Sequence, residues 1–161
     1  MSFFPSLRVN LAKPFVALRW QLTSLYGDSW WADEAQAADF QLLYNGNAVA
    51  WGSTTVADDK SNPSAEQPPN LVDLNANTKW LAFQTGPKRT RVRVDFTSNA
   101  GGWVFNQYRY RTANDDQGRD PTGWVLYGSY DGTNFIEIGR ETNAVNISAR
   151  KTWTNTFNLT I

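Results

Sequence analysis

Apolar and polar residues alternate with a period of two along much of the chain. The alternation runs through residues 16–22, 40–44, 92–96 and 124–128, and shorter stretches return at 135–138 and 153–161. Such alternation is typical of strands that bury one face. No segment carries a long helical repeat, and residues 32–39 have room for one helical turn at most. Several short strands with turns between them predict an all-β fold, an antiparallel β-sandwich.

Turn signals place the connections between these strands. Asn45-Gly46 and Asp131-Gly132 are strong hairpin dipeptides. Residues 53–69 are polar and contain proline, so they predict either a long polar connecting loop or a boundary after a small N-terminal piece. Residues 1–13 have no clear pattern and are interpreted as an N-terminal arm that docks on a partner. Residues 14–161 then form a single domain.

Composition argues against catalysis and against nucleic acid. The 161 residues include no cysteine and no histidine, which removes disulfides, thiolate chemistry and the commonest general base. The carboxylate pairs at 58–59 and 115–116 are adjacent residues that point apart, whereas a glycosidase holds its pair across a cleft. The formal net charge is zero, whereas a nucleic-acid-binding protein usually has a basic excess. We therefore expect a non-catalytic protein without a nucleic-acid partner.

The chain shows no targeting or membrane signal. Residues 1–7 lack a basic region followed by a long apolar run, so no signal peptide is expected. No stretch approaches the roughly 20 apolar residues of a membrane span, so no membrane insertion is expected. Synthesis in a cytosol follows from this interpretation. The self-contained domain, the arm and the surplus of aromatic residues favour a virion-associated protein.

Two blocks of sequence are similar to discoidin-type domains, also called coagulation factor type C or galactose-binding-like domains. Residues 70–80 (NLVDLNANTKW) resemble the opening motif of the family, and residues 110–135 resemble its central stretch through RDP and GSYDG. Residues 15–22 and 37–42 resemble the pair of strands that usually ends such domains, here placed at the front. The resemblance implies a circularly permuted jelly-roll sandwich, similar to carbohydrate-binding modules, in which residues 53–69 join the usual ends.

The resemblance also implies a structural calcium ion. In relatives that hold one, the opening motif and an acidic residue of another strand supply the oxygen ligands that calcium requires. Carried over residue by residue, the ligands are oxygens of Ala38, Asp39, Asn70, Asp73, Asn75 and Thr78. Asp39 stands where the family usually has glutamate. The alternative is that Asp73 and Asn75 only organise an Asx turn.

The eight tryptophans exceed what one core of this size needs, which places some rings at a surface. The rings assigned to the core are Trp20, Trp80, Trp124 and Trp153. The candidate sugar-binding residues are loop rings and polar side chains, namely Trp30, Trp31, Trp103, Arg109, Arg111, Asn114 and Asp116. The alternative places the loop rings at a subunit contact. The basic residues within 88–93 are expected to form a stripe on one face of a strand.

Two functions stay open at this point. The first is a non-catalytic module that recognises carbohydrate or a cell surface, with a glycan or cell-surface polysaccharide as its partner, within a virion tail fibre, capsid fibre or decoration protein. The second is a purely structural assembly or decoration subunit, a homo-oligomer or a partner of other virion proteins. Loop tryptophans that line a concave pocket favour recognition, and a flat face that meets another subunit favours assembly.

Overall fold

The computed structural model describes residues 12–144 and 147–161, and this part of the chain is an all-β, antiparallel sandwich. Residues 1–11 of the predicted arm lie outside the described residues. The strands are β1 (Ala17–Leu25), β2 (Ala35–Ala37), β3 (Asp39–Tyr44), β4 (Asn47–Val49), β5 (Thr54–Asp58), β6 (Trp80–Ala82), β7 (Arg93–Ser98), β8 (Gln107–Arg111), β9 (Pro121–Ser129), β10 (Phe135–Glu141) and β11 (Phe157–Asn158). Short 3-10 helices occupy Tyr26–Trp30, Pro68–Val72 and Gln117–Arg119.

Two main sheets form the layers of the sandwich. One has the strand order β10-β9-β1-β7-β5, and the other has the order β11-β8-β3-β4. β2 and β6 form a separate two-stranded pair. β1 lies between β9 and β7 and is antiparallel to both, so it is the central strand of its sheet. The 3-10 helix Tyr26–Trp30, which follows β1, is therefore attached to the central strand of this sheet.

The alternating residues of the two main sheets meet in one aromatic core. Trp20 of β1 contacts Phe40 of β3 across the sandwich, with ring centroids 4.9 Å apart. Trp124 of β9 lies edge-on to Phe157 of β11 at 5.0 Å, and its indole nitrogen donates to the Tyr108 hydroxyl at 2.9 Å. Both tryptophans are fully buried. Burial of such large rings on both inner faces is the main stabilising contribution to the sandwich.

Both predicted hairpins are confirmed. β3 and β4 pair around Asn45 and Gly46, whose φ angles of 49° and 83° are those that a tight two-residue turn requires. β9 and β10 pair from Ser129 and Phe135 onwards, around the turn that contains Asp131-Gly132. In this second turn the Asp131 carboxylate accepts from the backbone amides of residues 133 and 134, which holds its pKa well below the usual range.

Three expectations about secondary structure are wrong in detail. Residues 53–69 are not a loop throughout, because Thr54–Asp58 form an edge strand that pairs with β7. Residues 32–39 contain β2 and the start of β3 rather than a helical turn, because their alanines pack against neighbouring strands. The expected strand over 153–161 is reduced to Phe157–Asn158, with one isolated bridge at Trp153. Within the described residues, no helix is long and apolar enough to span a membrane.

Candidate functional site

Trp30 and Trp31 lie together at one end of the sandwich, directly after β1. The chain leaves β1 in the 3-10 helix Tyr26–Trp30, which ends at Trp31 in the left-handed conformation, with φ 64° and ψ 34°. Residues with bulky side chains rarely adopt that conformation. Trp30 and Trp31 are 56% and 57% exposed. Both rings are therefore at the surface, where a ligand or a subunit can reach them, and their role stays a prediction.

Close backbone packing fixes the helix that carries the two rings. Gly27 lies against Gly118, and a Cβ atom on Gly27 would come within 2.7 Å of the Gly118 carbonyl oxygen. The Asp28 carboxylate accepts from the Leu25 amide at 3.2 Å and from the Arg91 guanidinium at 2.6 Å. The helix is thus packed against Gly118 and bonded to Arg91, and the tryptophans project from a rigid base.

The Trp30 ring lies over Gly118 and beside Tyr26. The Tyr26 and Trp30 rings meet edge to face, with centroids 5.6 Å apart. A Cβ atom at Gly118 would lie 3.0 Å from two ring atoms of Trp30, so only glycine lets the ring rest on the backbone here without a shift. Tyr26 is 43% exposed, and the two rings together form an aromatic corner at the surface. The flat face of an exposed ring such as Trp30 can stack on the apolar face of a sugar ring.

Charged side chains surround the backbone on which Trp30 rests. Arg119 forms ion pairs with Glu34 at 3.2 Å and with Asp116 at 3.3 Å, and it approaches Asp115 at 3.7 Å. Asp116 also accepts from the Gly118 amide at 3.1 Å and has a φ angle of 24°, outside the common regions. These carboxylates and the guanidinium are planar polar groups of the kind that hydrogen-bond to neighbouring hydroxyls of a sugar.

The Trp31 ring faces a different loop. The Lys88 ammonium lies 4.2 Å from the centre of the ring. Asp33 holds this loop in place, because its carboxylate accepts from the Gly86 amide at 3.0 Å and from Arg89 Nε at 3.1 Å. The cavity between the two loops has a volume of about 370 Å³ and is lined by Trp31, Asp33, Gly86, Pro87, Lys88 and Arg89.

The two predicted ligand-binding arginines, Arg109 and Arg111, contact residues other than Trp30 and Trp31. Arg109 Nε donates to Gln41 at 2.9 Å, and Arg111 pairs with Asp39 at 2.8 Å. Both guanidinium groups stack on Trp153, at 4.5 and 4.4 Å from its ring centre. Trp153 is therefore only partly buried, covering the outer face of β8, and its assignment to the core is wrong. Desolvation, and next the charge of Arg111, lower the pKa of Arg109.

Asn114, another predicted sugar ligand, lines a polar cavity of its own. This cavity has a volume of about 330 Å³ and is lined by Ala65, Glu66, Ala76, Asn77, Thr78, Lys79, Asn114 and Lys151. The buried Lys79 ammonium donates to Gln36 at 2.9 Å and to Asp115 at 2.8 Å. Of the seven predicted binding residues, Trp30 and Asp116 both contact Gly118 and Trp31 follows Trp30 directly, whereas Asn114 and the two arginines make their contacts with other residues.

The assignment of Trp103 to a surface site is wrong. Its side chain is 3% exposed, and its indole nitrogen donates to the Trp51 carbonyl at 2.8 Å inside the core. Gly101 and Gly102, with φ angles of 91° and 95°, turn the chain so that Trp103 forms a bridge with Phe15. The expected basic stripe is also wrong, because residues 88 and 89 lie in the turn before β7.

The sequence interpretation missed three residues of the aromatic site. Tyr26 carried a signal, since its spacing of four from Trp30 within a short helical turn brings the two rings together. Lys88 and Arg119 carried none, because their proximity to the tryptophans depends on loops that are distant in the sequence. The adjacent Asp120 is buried and pairs with Arg150, at 2.9 and 2.5 Å.

Two of the predicted calcium ligands, Asp39 and Asp73, lie close together where β3 begins. Asp39 is fully buried. Both contacts from Arg111 go to Asp39 Oδ2, while Asp39 Oδ1 is buried without a hydrogen-bond partner in the described part of the chain. Burial raises the pKa of Asp39 to about 6, Arg111 opposes this, and the nearby Asp73 carboxylate raises it further. A buried carboxylate oxygen that faces a second carboxylate is a position that a cation would stabilise.

The loop that carries Asp73 is folded on itself. Asp73 Oδ1 accepts from the Asn75 amide at 2.9 Å, and Asp73 Oδ2 accepts from the Thr78 hydroxyl. The Asn75 carbonyl accepts from the Thr78 amide at 3.2 Å. The Asx turn of the alternative interpretation is therefore present. It does not compete with an ion, because each carboxylate and carbonyl oxygen has a further lone pair.

The residues present fit calcium by the chemistry of their donors. Within residues 12–144 and 147–161, no three acidic, histidine or cysteine side chains gather, so an ion here would have two carboxylates and would depend on neutral oxygens. Calcium accepts that mixture, because it takes six to eight carboxylate, carbonyl and hydroxyl oxygens. Ala38 and Asn70 are the remaining predicted donors. The Asn70 amide nitrogen donates to the carbonyls of residues 65 and 79, which fixes that end of the loop.

No family model matches the chain, and no curated protein or solved structure matches it either. Fold and site alone therefore define the class of protein. The chain is an all-β sandwich with an exposed tryptophan pair held rigidly at one end of its central strand.

Proposed function

We propose that the chain is a non-catalytic binding module that recognises carbohydrate, as a free glycan or as a cell-surface polysaccharide, through Trp30 and Trp31. The observation that carries the proposal is the exposure of both rings on a backbone that is fixed by Gly27 and Gly118. Exposed apolar surface lowers solubility, and contiguous exposed apolar patches are typical of ligand or partner contacts.

The chemistry around the rings supports a sugar as that ligand. Tyr26 and Trp30 supply flat apolar surface, and Arg119 with Glu34 and Asp116 supplies fixed hydrogen-bonding groups close by. Sugar sites combine these two elements, because one face of a pyranose is apolar and its edge carries hydroxyls. Rings that are already fixed lose little conformational entropy on binding, which favours affinity.

A glycan array followed by calorimetry tests the proposal. We expect the purified chain to bind at least one class of glycan, and we expect the double variant Trp30→Ala, Trp31→Ala to lose that binding. Tyr44→Ala is the matched control, because Tyr44 is 44% exposed but lies in the β3–β4 hairpin. A chain that binds no glycan, or a double variant that binds as well as the wild type, would contradict the proposal.

An assembly subunit is the second candidate, favoured by apolar side chains at the opposite end of β1. Tyr44, Val104 and Ile161 are exposed there around a cavity of about 380 Å³. β1 has nine residues, so about 30 Å of strand separates the two ends. Self-association through this end predicts a multimeric mass in solution that Ile161→Asp lowers without changing glycan binding. A monomer at all concentrations excludes this candidate. The virion setting stays a prediction from the sequence.

We also propose a structural calcium ion at Asp39 and Asp73. The unpartnered Asp39 oxygen and the two facing carboxylates support it. Ala38, Asn70, Asn75 and Thr78 would supply the neutral oxygens. Calcium would stabilise the loop against β3 rather than take part in chemistry. Calorimetric titration of metal-free protein tests this, with Asp73→Asn expected to weaken calcium binding at least tenfold.

A further inference from the structure

The Trp31 cavity contains an ammonium group, that of Lys88, which lies over the exposed ring. Lys88 Nζ lies 4.2 Å from the ring centre of Trp31. In the part of the chain that the structure describes, no carboxylate comes within 4 Å of Lys88 Nζ, so the ring is the partner of this charge. A cation over a tryptophan face is attracted by the ring, but weakly where water reaches both groups. The ammonium therefore lies beside the ring and is still free to pair with an incoming anion.

The loops around this ring are fixed before any ligand arrives. The Asp33 carbonyl accepts from the Thr85 amide at 2.9 Å, and the Asp33 carboxylate accepts from the Gly86 amide at 3.0 Å. The Arg89 amide in turn donates to the Gly86 carbonyl at 3.0 Å, which closes the turn that presents Lys88. A Cβ atom at Gly86 would come within 2.6 Å of Asp33, so the two loops are as close as a glycine allows.

The charges of the cavity do not balance. Lys88 and Arg89 contribute two positive charges, and Asp33 contributes one negative charge. The excess of one cation stands in a chain whose formal net charge is zero. The Trp30 side has the opposite character, because Arg119 is surrounded there by Glu34 and acidic residues 115 and 116. The two adjacent rings therefore lie in regions of different charge.

We propose that the Trp31 cavity binds a carboxylate-bearing sugar unit, with its ring stacked on Trp31 and its carboxylate paired with Lys88. This inference rests on the proposed carbohydrate-binding function and names the class of sugar. A neutral sugar stacked on the ring gives the ammonium no new partner. An anionic sugar gives the ammonium a charge-assisted hydrogen bond, which is stronger than its contact with the ring alone.

The shared ligand chemistry is a carboxylate on a pyranose, which uronic acids and sialic acids both provide. A single-stranded nucleic acid also combines a flat ring with a negative charge. The zero net charge and the acidic neighbours of Trp30 argue against a phosphate backbone that runs across both rings, since such a backbone needs a continuous basic track.

Calorimetry with matched ligand pairs tests the inference. The pairs are trigalacturonic acid with galactotriose, and sialyllactose with lactose, and an eight-residue oligothymidylate is the nucleic-acid probe. We expect the acidic member of at least one pair to bind about tenfold more tightly, a preference that falls as salt is raised. Lys88→Gln should remove that preference, so that the acidic and neutral members of the pair bind with similar affinity.

Lys13→Gln is the matched control. Lys13 also lies over an aromatic ring, at 4.8 Å from the centre of the partly buried Tyr130, but before the start of β1. It removes the same charge from the same kind of contact, and we expect no change in either affinity. Both variants change exposed side chains, so urea unfolding should show wild-type stability.

The outcomes separate this inference from the proposed function. Neutral and acidic sugars that bind equally, with no effect of Lys88→Gln, would overturn the acidic specificity while the binding module stands. Absence of binding to every sugar would overturn both. Tighter binding of the oligothymidylate than of any sugar would also overturn both and identify the surface as a nucleic-acid contact.

Discussion

Calcium should remove the dependence of stability on pH that Asp39 causes. Without an ion, the pKa of Asp39 is raised from 3.8 to about 6, chiefly because burial disfavours the carboxylate. A raised pKa means that the folded state prefers the protonated acid. The fold therefore has no penalty from Asp39 below about pH 4, gains one as pH rises towards 6, and keeps all of it at neutral pH.

The size of the penalty follows from the difference between these two pKa values. A difference of about two pH units corresponds to about 3 kcal/mol at neutral pH. A calcium ion against Asp39 Oδ1 would favour the carboxylate and lower its pKa, so the penalty disappears in the loaded protein. The stabilisation by calcium should therefore be small near pH 4 and should grow by about 3 kcal/mol up to pH 7, in addition to simple mass action.

Urea unfolding at several pH values, with metal-free buffer and with excess calcium, measures this directly. Asp39→Asn removes the titrating group and should remove the difference in pH slope between the two conditions. Asp73→Asn changes an exposed residue of the same site and should weaken the calcium effect while the protein stays folded. A pH slope that is identical with and without calcium in the wild type would refute the reasoning.

Three further predictions concern single side chains. Tyr108→Phe leaves the buried Trp124 indole nitrogen without its acceptor at 2.9 Å, and should lower the free energy of unfolding by about 1–3 kcal/mol at an unchanged urea m value. Gly118→Ala places a Cβ atom 3.0 Å from the Trp30 ring and should weaken glycan binding, measured by calorimetry, much more than it changes the urea midpoint. Trp103→Ala should cost about 3–5 kcal/mol of stability and leave the glycan affinity of the folded protein unchanged. A variant of normal stability with weakened glycan binding would contradict this prediction.

The strands that could be predicted are those with several buried residues in alternation. In β1, Leu18, Trp20 and Leu22 are all buried, so the period of two is plain in the sequence. β5 was missed because Val56 is its one buried residue and polar side chains surround it. An edge strand of this kind obtains its pairing from β7, which a local pattern does not contain.

The candidate site was predictable in part, for similar reasons. Two adjacent tryptophans in a polar loop cannot both be buried easily, and Trp30 and Trp31 are indeed exposed. Trp103 looked equivalent, but the glycines before it turn the chain inward rather than outward. The contact between Trp31 and Lys88 joins positions far apart in the sequence, and it is supported by Asp33, which follows Trp31 and bonds to Gly86 and Arg89.

The unequal environments of the tryptophans give the chain two separate optical signals. Trp20, Trp80 and Trp124 are buried, with the ring centres of Trp80 and Trp124 each about 6 Å from that of Trp20, so their emission is expected to be blue-shifted and to report on unfolding. Trp30 and Trp31 are in water and are expected to emit at longer wavelength and to respond to quenchers. Iodide should be attracted to Trp31 by Lys88, whereas the acidic groups around Trp30 should repel it, so an iodide titration should quench Trp31 more strongly than Trp30.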